Sequence, residues 1–203
     1  MLPRVAAAVL VVVVAVGVGA GIASRSGSGA APLVPSGPLT GESRGRAPWS
    51  ANTRDLRARL ETLGLPALAS EGTELHIHAH LDVFVDGRRV VVPAGIGIDP
   101  GGSFISPLHT HDSTGVIHVE SPTVRPFTLG EFFGVWGVRL GHGCLGGYCA
   151  TQGRVLRVYA DGRPVSNPDR LLLAEHEEIV VAFGTPRQLP RRVPASYVFA
   201  AGL

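Results

Sequence analysis

The run Leu75-His76-Ile77-His78-Ala79-His80-Leu81-Asp82-Val83-Phe84-Val85 constrains this chain more than any other segment. Successive side chains on a β-strand point to opposite faces. As a strand, the run places its three imidazoles on one face and Ile77, Ala79, Leu81, Val83 and Val85 on the other. The apolar face must be buried, so the strand belongs to a sheet covering a core. The other face carries chemistry. A second alternating pair follows in Leu108-His109-Thr110-His111-Asp112, and His118 lies close behind it. Six of the eight histidines thus fall between His76 and His118.

Not all 203 residues can join one core. Residues 5–23 form an almost unbroken run of Val, Ala, Gly and Leu, flanked by Arg4 and Arg25. Its length suits a bilayer-spanning helix. Gly21 and Ala23 before Ser24 also suit a cleaved signal peptide. Residues 1–25 are therefore expected to be a single-pass membrane anchor, or alternatively a signal removed near Ala23 to release a secreted protein. Either way the rest of the chain lies outside the cytoplasm. Residues 26–52, rich in Ser, Gly, Ala and Pro, read as a flexible linker, and residues 53–203 as one extracytoplasmic domain. With 18 basic and 16 acidic residues and no long basic run, nucleic-acid binding is not indicated.

Within the domain, Leu56, Leu60 and Leu63 lie at helical spacing before Gly64. The dipeptides Asp86-Gly87 and Asp161-Gly162 mark hairpin turns. Residues 89–92, 104–111, 116–120, 155–159 and 178–183 read as strands. Thr128-Leu129-Gly130-Glu131 fits a capping box. Leu129, Phe132, Phe133 and Trp136 then form one apolar helical stripe, which reads as core. Strands with one well-formed helix among them predict an α+β fold: a mainly antiparallel sheet with one covering helix, β-grasp-like in element order. A small β-barrel or jelly roll is the alternative.

Cys144 and Cys149 enclose Leu-Gly-Gly-Tyr. Outside the cytoplasm a close pair is expected to form a disulfide. A thiolate metal site with His142 and a pair of free thiols are the other readings.

The second histidine group allows pairing arithmetic. If residues 112–115 are a four-residue hairpin loop, His111 pairs with Val116 and His109 with His118, with Glu120 on the same face opposite Pro107. Three imidazoles on two adjacent strands can close around one ion. His76, His78 and His80 span too far to share an ion, and His78 and His80 are the two expected to approach from a neighbouring strand. Asp82 and Asp112 are expected to orient imidazoles. The metal ligands expected are therefore His78, His80, His109, His111 and His118, with His142 and His176 apart from them. A pH-sensing or simply polar face is the competing reading. Imidazole without thiolate or thioether favours Zn or Cu(II) over Cu(I).

The segments His78-Ala79-His80-Leu81-Asp82-Val83-Phe84-Val85-Asp86-Gly87, Leu108-His109-Thr110-His111-Asp112, Gly115-Val116-Ile117-His118-Val119-Glu120-Ser121-Pro122 and Phe127-Thr128-Leu129-Gly130-Glu131-Phe132-Phe133 resemble a pattern in a family of uncharacterised, His-rich exported proteins of bacteria and archaea. The resemblance covers roughly the domain core. It implies export and a single domain, and no activity attaches to it.

The functional expectation is a membrane-anchored extracytoplasmic domain that binds a divalent transition metal through strand-borne histidines. One alternative is a metal-dependent hydrolase or oxidoreductase with Glu120 as general base. No Gly-x-Ser-x-Gly, P-loop or His-Glu-x-x-His motif accompanies it. The other is a non-catalytic interaction module of the cell envelope. Substrate and protein partner are not legible.

Overall fold

The computed structural model describes residues 37–203. The expected anchor or signal, and the first part of the linker, lie outside the described residues. Among the described residues no helix is long and apolar enough to cross a membrane. The elements follow in the order α1 (Leu56–Leu63), β1 (Leu75–Val85), β2 (Arg88–Val90), β3 (Leu108–His109), β4 (Val116–Ser121), α2 (Leu129–Trp136), β5 (Leu140–Gly141), β6 (Cys144–Leu145), β7 (Tyr148–Cys149), β8 (Val155–Ala160), β9 (Arg163–Pro164) and β10 (Glu178–Gly184).

One mixed sheet runs β3-β4-β1-β10-β8-β9, and β2 also pairs with β1. The fold is α+β with an open sheet, as the element order predicts, and does not close into a barrel. The alternating run is the central strand. One of its edges is shared: residues 75–80 pair antiparallel with β4, and residues 83–85 with β2. Its other edge pairs in parallel with the last strand, β10. A parallel pairing needs a long crossover, which the intervening helix and hairpins supply. Asp86 and Asp161 both have positive φ and each precedes a positive-φ glycine, the backbone that tight hairpins require.

The apolar face of the sheet, including Ala79, Leu81, Val83, Ile117, Val119, Ile179 and Val181, is fully buried beneath α2. All eight residues of α2 are buried. The expected stripe understates the case, because α1 covers the other side of this helix. A Cβ at Gly134 would meet Leu39 and Leu63 Cδ1 at 2.9 Å. Only the missing side chain lets α1 and the segment before it approach so closely. The capping box is present as predicted: the Glu131 N–H donates to Thr128 Oγ1 at 3.1 Å, and the Thr128 N–H donates to Glu131 Oε2 at 2.7 Å. Thr128→Ala should cost about 1–2 kcal/mol in chemical denaturation. A loss under a few tenths would mean that packing alone fixes the start of α2.

The chain joins the fold earlier than the composition of residues 26–52 predicts. Leu39 and Trp49 are buried, and Trp49 meets Trp136 edge-on with centroids 5.9 Å apart. Trp136 Nε1 donates to the Ser50 carbonyl at 2.9 Å. Arg59 is completely buried, with its guanidinium donating to the carbonyls of Asn52 and Val135. It thus pins this segment to the carbonyl-rich end of α2. Anchors this sparse leave no periodicity for sequence reading to detect.

The second correction concerns residues 104–111. Only Leu108–His109 is strand. Thr110 turns away: its N–H donates to the Ile96 carbonyl at 3.1 Å, and its hydroxyl donates to the Pro93 carbonyl at 2.8 Å. These bonds tie β3 to the preceding loop along the edge that faces away from β4, and pairing with β4 ends at His109. That loop approaches so tightly that a Cβ on Gly97, whose φ is +73°, would lie 2.2 Å from the Leu108 carbonyl oxygen.

Cys144 and Cys149 are register partners across β6–β7 and form the expected disulfide. Their Cα atoms are 4.0 Å apart, below the usual range of about 4.4–6.8 Å. His142 is therefore not part of a thiolate site. Non-reducing mass spectrometry of the protein should show a mass lower by two hydrogens, and two alkylatable thiols would contradict it.

Candidate metal centre

Three adjacent strands bring the histidines together. β3 pairs with β4 through His109 opposite His118, as the loop arithmetic predicts. β4 pairs with β1 through His118 opposite His78, and His76 lies opposite Glu120. His109, His118 and His78 therefore form a row across the sheet. His109 and His118 stack with centroids 5.2 Å apart, and His78 meets His118 edge-on at 4.7 Å. His111, just beyond β3, folds back so that its ring lies 4.5 Å from that of His118.

Burial divides these side chains into an inner and an outer set. His78, His109, His118 and Glu120 are buried, whereas the side chains of His76 and His111 are 52% and 43% exposed. His109 is the most constrained. Its Nδ1 lies 3.0 Å from the Ser106 carbonyl oxygen. A carbonyl only accepts, so Nδ1 carries the proton and Nε2 presents its lone pair. That lone pair faces His111 Nε2 at 3.1 Å and Glu120 Oε1 at 3.9 Å. His118 Nδ1 is 3.1 Å from the same Glu120 oxygen. Ligand atoms about 2.0–2.1 Å from one tetrahedral ion stand roughly 3.3–3.4 Å from each other. One donor atom each from His109, His111, His118 and Glu120 lies within 4.8 Å of every other. This group is geometrically able to hold a metal ion.

Electrostatics favour the metal-ready forms. Burial, followed by the neighbouring His111 and His118, pushes His109 down to about 3. Burial and His111 push His118 down to about 4. His78 is also lowered, first by burial. The inner imidazoles are thus neutral at physiological pH, the state that binds metals. Glu120 is pushed up by burial and then by Glu71. No Lys or Arg forms an ion pair with it among the described residues.

Above the ordinary imidazole value of 6.5, His109 is neutral in both folded and unfolded chains. Below it the unfolded chain takes up a proton, while the folded chain resists down to about 3. Stability therefore falls as pH falls through that window. The metal-stripped protein should lose thermal stability between pH 6.5 and 4 more steeply than His109→Asn. Equal slopes would argue against a buried neutral His109.

His80, expected among the ligands, is placed elsewhere. Its Nδ1 lies 2.6 Å from Glu178 Oε2 and its Nε2 lies 3.0 Å from the Thr114 carbonyl, so both nitrogens are engaged. Its ring stacks on Tyr197 at 3.7 Å, fastening the C-terminal tail. A separate group of His80, Asp82 and Glu178 has ligand-like spacing. His76 takes the place expected for His80: its Nε2 is 3.3 Å from His78 Nε2 and 3.4 Å from Glu120 Oε1.

Asp82 and Asp112 do not orient imidazoles. Asp82 accepts from Arg89 at 2.8 Å, and Asp112 accepts from the Thr114 N–H at 2.9 Å. The orienting role falls to the Ser106 carbonyl, which accepts from His109 Nδ1. His142 and His176 lie apart, His176 beside Phe199 and the Leu203 carbonyl.

Glu71, absent from the sequence reading, sits 3.2 Å from His111 Nε2. It is brought there by Gly72, where a Cβ would run into the Ser121 backbone at 2.2 Å. A lone Glu-Gly in a loop gives no signal of this. No protein-family model, curated protein or solved structure matches the chain. The reading of the site therefore rests on its own geometry.

Proposed function

We propose that the protein is a membrane-anchored extracytoplasmic domain that captures a divalent transition metal, Zn or Cu(II), with His109, His111, His118 and Glu120. The observation that carries this reading is the fixed tautomer of His109. The Ser106 carbonyl accepts a hydrogen bond from His109 Nδ1–H, leaving the Nε2 lone pair aimed at a cluster of further donors. Metal-binding histidines are commonly oriented in this way. The buried inner ligands are preset, and His111 at the rim can close over an arriving ion. Such a division suits exchange with the surrounding solution. Imidazole and carboxylate donors suit Zn and Cu(II). The disulfide withholds both cysteine sulfurs. The apolar run at residues 5–23 and the resemblance to exported proteins support placement at the cell membrane, facing outward.

The test is metal content of the protein purified without a histidine tag, followed by titration. His118→Ala should weaken zinc binding at least tenfold, about 1.4 kcal/mol, with an unchanged circular dichroism spectrum. Unaltered affinity would remove His118 from the ligand set. Protection of residues 37–203 in intact cells from external protease would overturn the outward placement.

A further inference from the structure

We infer that the histidine face holds two divalent transition-metal ions that share Glu120 as a bridging carboxylate. His109, His111 and His118 complete the first subsite, and His76 and His78 the second. The inference rests on the metal-capture reading above and extends it.

Three observations carry it. First, the donors outnumber what one ion takes. Five imidazoles and Glu120 line one continuous patch, whereas zinc is almost always four-coordinate in closed sites. Second, the donors fall into two groups, each with its own close pair of nitrogens. His109 and His111 Nε2 lie 3.1 Å apart on the β3 side, and His76 and His78 Nε2 lie 3.3 Å apart on β1. The two pairs flank β4, so one ion cannot sit centrally in both. Each group meets ligand spacing separately, and Glu120 is the one residue common to both. The same oxygen, Oε1, is 3.4 Å from His76, 3.9 Å from His109 and 3.1 Å from His118. Third, Glu120 is a buried carboxylate with only imidazoles as ion-pair partners among the described residues. Glu71 adds a second carboxylate beside His111. Glu71 is half-exposed, but a buried carboxylate such as Glu120 calls for paired charge or metal, and cations on both sides of it supply that. Carboxylate-bridged pairs of ions ordinarily stand about 3.5–4 Å apart.

The experiment is calorimetric titration of the metal-stripped full-length chain with zinc alone. Two ions per chain are expected. His76→Ala, a change at a half-exposed side chain that leaves no internal cavity, should bind one. Glu120→Gln should weaken both binding steps at least tenfold, because the lost charge is shared. One ion in both wild type and His76→Ala would overturn the second subsite while leaving single-ion capture standing. No ion in the wild type would remove both readings. Two ions with only one step weakened in Glu120→Gln would overturn the bridge. A circular dichroism spectrum matching the wild type qualifies each variant. Should Glu120→Gln not fold, wild type against His111→Ala, also half-exposed, decides: loss of the first subsite alone supports two subsites, and an unchanged isotherm overturns them.

Discussion

A chain carrying His109→Ala, His111→Ala and His118→Ala should lose most of the metal-dependent rise in melting temperature expected of the wild type. A ligand that binds only the folded state stabilises it by about 2.7 kcal/mol at a hundred times its dissociation constant. For a domain of this size that is a rise of roughly 5–10 °C. The rise comes from donors that only the fold assembles: β3, β4 and the loop at Thr110 bring the three imidazoles together. With the three donors gone, the increment should shrink to what His76, His78 and Glu120 alone supply. His176→Ala should keep the full increment, because His176 is held by Leu203 and Phe199 on another part of the surface. The measurement is differential scanning calorimetry with and without zinc. An equal rise in wild type and triple variant would refute the metal centre. The triple variant removes the wholly buried His109, so the comparison is between increments and not between absolute melting temperatures.

Trp136→Ala should be among the most destabilising single substitutions in the domain, at about 3–5 kcal/mol. Its ring is fully buried. It is packed against Trp49, Phe132 and Phe133, where α2 meets both the sheet and the segment before α1. Truncation leaves a cavity lined by aromatic rings that cannot collapse without moving α2. It also strands the Ser50 carbonyl. Trp136→Phe should separate these contributions, restoring most of the packing and leaving a deficit of about 1 kcal/mol from the unmade hydrogen bond, plus the smaller ring. Urea denaturation reads both. A Trp136→Ala loss under 1 kcal/mol would mean that α2 is not held by this contact.

Where sequence periodicity and a local turn acted together, the fold was legible. The alternation of β1 set its two faces. Asp86-Gly87 set a hairpin, and the apolar stripe with its capping box set α2. The pairing of His109 with His118 followed from the loop length between them. The same arithmetic failed one step further along. Pairing with β4 ends at His109, where Thr110 is tied to Ile96 and Pro93 of the preceding loop, and no local rule contains residues so far back in the chain. The choice of His80 over His76 failed for a related reason. Which β4 residue each β1 imidazole meets depends on the register between the strands, and that register puts His78 opposite His118, His76 opposite Glu120 and His80 opposite Val116. A shift of two residues would have kept the same face and exchanged the partners.

The sequence alone determined that the histidines share a sheet face, that His109 meets His118, and that the opposite face is core. These follow from the two-residue period of a strand and from the aversion of apolar side chains to water. Tertiary structure decided which donors converge. It supplied the Ser106 carbonyl that fixes the His109 tautomer, the Glu71 carboxylate beside His111, and the buried Glu178 that draws His80 away. Each depends on contacts between segments distant in sequence, or on a backbone carbonyl that every residue possesses. No residue pattern encodes such contacts until the strands have paired.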